Sequence, residues 1–195
     1  MGDYKEILGA FSVLCALVAY ALYLRDIFVR HTKPHAFSWL IWAVLACIAF
    51  AAQYVGNAGA GSWVTFADTF FCTLIFAIAL WRGEKSYTLF DWISLLVGLF
   101  SLLLWWLTNT PVFSVILITI VDYCGGFFPT FRKSYSKPWE ESASMFILSA
   151  LKYTAAFFAL STYSVSTALY VGALIPINVA LAGMIVIRRG VIQRQ

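Results

Sequence analysis

Stretches of about twenty apolar residues, each closed by charge, by proline or by a glycine and asparagine cluster, follow one another along almost the whole chain. That is the length an α-helix needs to cross a hydrocarbon core of about 30 Å. Only helices or closed barrels satisfy their backbone groups in such a medium. Seven spans result, at approximately 7–24, 36–56, 62–81, 89–108, 111–130, 143–161 and 164–187. Composition agrees, with 62% of the 195 residues hydrophobic and 11% charged, against about 25% charged in soluble domains. A soluble enzyme, a nucleic-acid binder, a disordered tail and a disulfide-stapled secreted domain are excluded, because none could keep so much apolar surface from water. The expected class is an all-α integral membrane protein.

Charge placement predicts the orientation. With seven spans, the loops on one side hold Arg25, Arg30 and Lys33, then Arg82 and Lys85, then Arg132, Lys133 and Lys137, then Arg188, Arg189 and Arg194. The other side holds only Lys5, and Lys152 lies inside a span. Such a bias predicts an outside N-terminus and a cytoplasmic C-terminus. Leaving out 111–130 would destroy it. Asp3, Lys5 and Glu6 stand where a signal peptide would be basic, so none is expected. A compact chain with almost no tails points to a bacterial plasma membrane. Cys15, Cys47, Cys72 and Cys124 are scattered singly in apolar runs and read as small buried hydrophobes.

A weak internal repeat organises the spans. Sliding the chain until Thr32-Lys33-Pro34 falls on Ser136-Lys137-Pro138 also lays Ser38, Ala46, Ala51 and Ala52 on Ser142, Ala150, Ala155 and Ala156. Three further residues, absorbed in an outer loop, place Arg82-Gly83 on Arg189-Gly190. Each unit has three helices and starts outside, so a single intervening helix keeps the units parallel. Two parallel three-helix bundles, 1–86 and 111–195, joined by a linker helix in 87–110, are expected. Parallel repeats about an axis along the membrane normal are a transporter design, with substrate near the midplane.

Here the residues resemble a family. Leu24-Arg25-Asp26, then Val29-Arg30-His31-Thr32-Lys33 and Phe37-Ser38-Trp39, are similar to the PQ-loop pattern of the SWEET and PQ-loop transporter superfamily. Phe128-Pro129-Thr130, followed by Arg132-Lys133, Ser136-Lys137 and Ser142, resembles a second copy, and Pro176-Ile177-Asn178 before Gly183 resembles the family's last helix. The resemblance implies seven spans, transport of a small solute and hinges at Pro129 and Pro176. Arg25-Asp26 lacks the proline, so only the second half is expected to bend there. The resemblance further implies that Asn178 contacts substrate and that an aromatic residue near Tyr54 or Phe157 stacks on it.

Charged groups inside hydrocarbon are costly and need a partner or a wet cavity. Asp122 and Lys152 lie at similar depth by residue count and are expected to pair. Such a pair either holds two helices together or forms a solute or proton site; both readings stay open. Asp68 has no obvious partner and is expected either to face an outward-open cavity or to titrate. Asn178 either contacts solute or bonds the backbone freed by Pro176. Gln53 and Tyr54 end the second span near the depth of Asp68, with Phe157 the repeat partner of Gln53. Trp39, Trp63, Trp81, Trp92 and Trp139 sit near span ends, as interfacial belts do, and a cavity role for Trp42 is not the default. His31 and His35 flank Pro34 and read as loop residues, not as a metal pair.

The leading expectation is a transporter of a small polar solute such as a sugar, amino acid or vitamin, using Asp68, Asp122, Lys152 and Asn178. Coupling to protons would use the membrane carboxylates. A ligand-binding receptor of the same fold is the alternative. A retinal protein is disfavoured because the lysine lies in the sixth span. No phosphate loop, metal motif or catalytic constellation appears, so neither a cofactor nor an enzyme is expected. Expected partners are a small-molecule solute and the lipid bilayer, with no nucleic acid; a homo-oligomer is compatible with the sequence.

Overall fold

A computed structural model describes residues 3–29, 32–83 and 88–192, and of Pro129 the backbone only. Arg30, His31, Lys85 and Arg194 lie outside the described residues. Every regular element is helical: α1 (Asp3–Val29), α2 (Ala36–Val55), a 3-10 turn (Gly59–Ser62) leading into α3 (Trp63–Arg82), and α4 (Leu89–Thr108). Next come α5 (Val112–Val121), a π-helical segment (Asp122–Phe127), α6 (Phe128–Ser136), a 3-10 turn (Pro138–Glu140), α7 (Ala143–Ala159) and α8 (Val165–Val191).

Six of these rods are long and apolar enough to cross a membrane, with α5, the π segment and α6 counting as one rod over Val112–Ser136. The chain is thus an all-α, multi-pass membrane protein by length and composition. Helix α7 is shorter, at 17 residues, a rise of about 25 Å. Expected spans and observed helices coincide to within a few residues at most ends. The exceptions are α1, the 112–136 rod and α8, which run several residues past the apolar stretch into polar sequence.

Local chemistry sets these ends. Thr88 and Asp91 form a reciprocal capping box at the start of α4, and Ser164 and Thr167 form another at the start of α8. His35 caps α2 by accepting the Ser38 amide on Nδ1. Asn109, in the left-handed region at φ 52°, ends α4.

Packing follows helical spacing. In α1, Ser12, Cys15, Ala16, Ala19, Tyr20, Tyr23 and Ile27 are buried, one face recurring every three or four residues. That face lies mainly on α7, and also on α3. Small residues on the buried side of α7, among them Ser149, Ala150, Ala155 and Ala156, let the backbones approach. Helix α3 packs against both α1 and α2, and α8 against both α5 and α7. Helix α4 lies on α5 and α2 and is otherwise largely exposed on its apolar face.

Two sequence expectations fail on which way side chains point. Cys15 and Cys72 are buried, but Cys47 and Cys124 are exposed on the outer surface, where a thiol costs nothing against lipid. Trp63, Trp81, Trp92 and Trp139 do face outward, whereas Trp39 is buried with 4% exposure against Tyr20, Tyr23 and Trp42.

Candidate functional site

The two ends of the molecule differ. At the end carrying the basic loops, a cavity of about 710 Å³ runs inward between α2, α4, α6 and α7. Arg132, Lys133, Lys137, Glu140 and Glu141 line it together with Thr88, Asp91, Ser38 and Thr130, and its aromatic wall is Tyr23, Trp39, Trp42, Phe128 and Phe146. Lys133 pairs with Glu141 at 3.0 Å and Lys137 with Glu140 at 3.4 Å.

The N-terminal end is closed. Lys5 Nζ donates to the Leu160 carbonyl at 2.7 Å, and the Ser161 amide donates to the Ala58 carbonyl at 2.9 Å. Below them, Gln53 Nε2 donates to the Thr167 carbonyl at 3.0 Å while its Oε1 accepts from Thr65 at 2.6 Å. Gly61 permits this closure: a Cβ there would stand 2.8 Å from the Ala156 carbonyl oxygen and 2.9 Å from Leu160 Cα. Gln53 is therefore spent on closure, joining α2, α3 and α8, and its amide does not face the cavity.

Between cavity and closure lie two buried polar clusters. Lys152 forms its ion pair with Asp68, not with Asp122. Tyr20 donates to Asp68 Oδ1 and Tyr153 to Oδ2, each at 2.8 Å, and the ammonium lies 4.7 Å from the centre of both tyrosine rings. The expected Asp122–Lys152 pair fails because equal depth does not fix azimuth: Lys152 points toward α1 and α3. For the same reason Asp68, expected to be partnerless, has three donors at 2% exposure.

Asp122 forms the second cluster. Trp42 Nε1 donates to its Oδ1 and Tyr170 Oη to its Oδ2, both at 2.9 Å, and the residue is 1% exposed. No basic side chain among the described residues pairs with it. The π turn widens the helix around Asp122, with the Phe128 amide donating to the Tyr123 carbonyl five residues back. Such single π segments recur at functional sites. Gly126 makes the fit possible, since a Cβ there would meet Trp42 Nε1 at 2.4 Å and Asp122 Oδ1 at 2.7 Å. An edge-to-face chain, Tyr20 to Trp39 at 6.4 Å and Trp39 to Trp42 at 5.1 Å, links the clusters.

Other expected site residues are placed elsewhere. Tyr54 is 74% exposed on the outer face, near Phe50 and Phe66 in an apolar groove of about 880 Å³ between α1 and α3. It ends α2 pointing away from Asp68. Phe157 packs edge-on against Phe158 and Tyr163, away from both clusters. Asn178 is buried and donates to the Leu174 carbonyl at 2.7 Å, on its own helix but not to the Gly172 carbonyl that Pro176 frees. Pro176 sits inside a continuous α8, and Tyr123 donates to the neighbouring Ala173 carbonyl. The irregular turn expected before Pro129 is the π segment Asp122–Phe127, which runs directly into α6 and contains the carbonyl four residues before the proline.

Sequence reasoning missed Trp42, Tyr20, Tyr153 and Tyr170. A signal existed for two of them, because Tyr20–Asp68 and Asp122–Tyr170 are both separated by 48 residues. No family model, curated protein or solved structure matches the chain.

Proposed function

We propose that this protein is a membrane transporter of a small polar solute, working by alternating access between two three-helix bundles, α1–α3 and α5–α8, with α4 as linker. One observation carries the reading: a cavity enters from the basic end and stops at Trp39 and Trp42, while the other end is closed by backbone contacts. Buried charged groups lie between the two. A receptor needs a pocket, but it does not need polar groups set between an open face and a sealed one.

The packing supports two related halves. In each, the third helix lies against both of the others, α3 against α1 and α2, α8 against α5 and α7. Across the halves, α1 meets α7 and α2 meets the π segment, so the first helix of each meets the second of the other. Rocking about these seams would close the basic end as the N-terminal end opened. With the basic loops cytoplasmic, as the charge bias predicts, the cavity faces inward.

The test is solute counterflow into proteoliposomes, screened over labelled sugars, amino acids, amines and nucleosides. Exchange of at least one class that empty liposomes lack is expected. Binding without exchange would overturn transport and leave a receptor.

A further inference from the structure

We infer that the solute of this site is a small organic cation, an amine or quaternary ammonium, held between Asp122 and the rings of Trp42 and Trp39. The inference rests on the reading of the cavity as the solute path, and it names the class. It begins with a charge count. The buried clusters contain two carboxylates, Asp68 and Asp122, and one ammonium, Lys152, none more than 2% exposed. Lys152 is committed to Asp68, which also holds the hydroxyls of Tyr20 and Tyr153.

Asp122 is left with neutral donors alone, the Trp42 indole and the Tyr170 hydroxyl. A carboxylate presents about four acceptor positions, of which these donors take two, and Asp122 lies directly behind Trp42 rather than in the cavity lining. Burial disfavours an anion there unless a cation joins it, and no basic side chain among the described residues does. The cavity wall fits that need, because Trp42 both lines the cavity and bonds Asp122. Trp39 stands edge-on to Trp42 at 86°, so the two rings form a corner. Aromatic corners beside a carboxylate are how proteins hold ammonium groups.

The entrance does not oppose a cation. Its two lysines, Lys133 and Lys137, are engaged by glutamates, and the one arginine and the one aspartate of the lining, Arg132 and Asp91, balance in number. An anionic solute would bring a second negative charge against Asp122.

The test uses the purified full chain in detergent with choline, tetramethylammonium, ethanolamine and putrescine. Thermal unfolding and tryptophan emission are the readouts, since a ligand bound to the folded state raises its stability. The control is 3,3-dimethyl-1-butanol, the neutral isostere of choline, with sodium chloride at matched ionic strength. At least one cation should raise the unfolding temperature and change the emission, where the neutral isostere and sodium do not. Asp122→Asn should weaken that cation at least tenfold. The inference is overturned if no cation binds, if the isostere or sodium does as well as the cation, or if Asp122→Asn binds unchanged. Should Asp122→Asn not fold, the comparison of cation with isostere on the unaltered chain decides alone. Cation binding without counterflow would sink transport and leave this site standing; counterflow of a neutral or anionic solute with no cation bound would do the reverse.

Discussion

Tyr20 donates to Asp68 across 48 residues of chain, and Tyr170 donates to Asp122 across the same separation in the opposite direction. A shift along the sequence two residues shorter than the one that lays Thr32 on Ser136 carries Tyr20 onto Asp122 and Asp68 onto Tyr170. Helices α1 and α3 are thus tied by a tyrosine and an aspartate, and the 112–136 rod and α8 by an aspartate and a tyrosine, with the donor and acceptor exchanged. The first tie is completed from α7 by Lys152 and Tyr153, the second from α2 by Trp42. Lys152 gives the first tie a cation, whereas the second has neutral donors alone among the described residues.

That difference predicts unequal responses to neutralisation. Lys152→Met should leave Asp68 as an unpaired buried anion and lower stability by about 3–5 kcal/mol. The double variant Asp68→Asn with Lys152→Met should recover most of the loss, because neither charge is then stranded. Thermal unfolding in detergent measures both. Equal loss in the single and double variants would show that packing, not charge, holds this cluster.

Gly126 predicts a steric effect confined to the second cluster. Gly126→Ala would push a methyl into Trp42 Nε1 and Asp122 Oδ1. Breaking that bond should cost about 1–3 kcal/mol and shift tryptophan emission. Gly190→Ala, with open space around it, should leave emission unchanged. Indifference of the emission to Gly126→Ala would mean that Trp42 is not held as described.

The N-terminal closure can be loosened at Gln53. Gln53→Leu removes the donor to the Thr167 carbonyl and the acceptor for Thr65, a loss of about 1–3 kcal/mol. On the proposed alternating cycle that closure opens, so the variant should also expose Thr167→Cys to a water-soluble thiol reagent. No gain in labelling would show that Gln53 is a fold contact only.

How much of this was legible in the sequence depends on whether position along a helix or direction around it was needed. Apolar length and charge located the helices, because the bilayer imposes a length and the caps at Thr88 and Ser164 are local chemistry. The need for partners at Asp68, Asp122 and Lys152 was equally plain, since each sits in an apolar run. Which partner each would find was not legible. Asp122 and Lys152 match in depth, yet the π segment turns Asp122 toward α2 and α8, and that widening has no sequence signature stronger than Gly125-Gly126. Tyr54 failed similarly: one position along α2 separates it from Gln53, which is fully buried, while Tyr54 is 74% exposed.

Tyr54 and Ser136 together give the last prediction, which tests the path itself. Tyr54 is on the outer face, so Tyr54→Ala should leave stability within about 0.5 kcal/mol and leave solute binding unchanged. Ser136 lines the cavity at the basic end. In intact cells Ser136→Cys should resist an impermeant maleimide, because the positive-inside bias puts the cavity mouth in the cytoplasm; in inverted vesicles it should react. A bound solute that reaches Trp42 should slow this labelling by filling the cavity, and Tyr54→Ala should not alter the protection. Labelling from outside would invert the topology. Protection lost with Tyr54→Ala would move the solute site to the lipid-facing groove, where Tyr54 lies with Phe50 and Phe66.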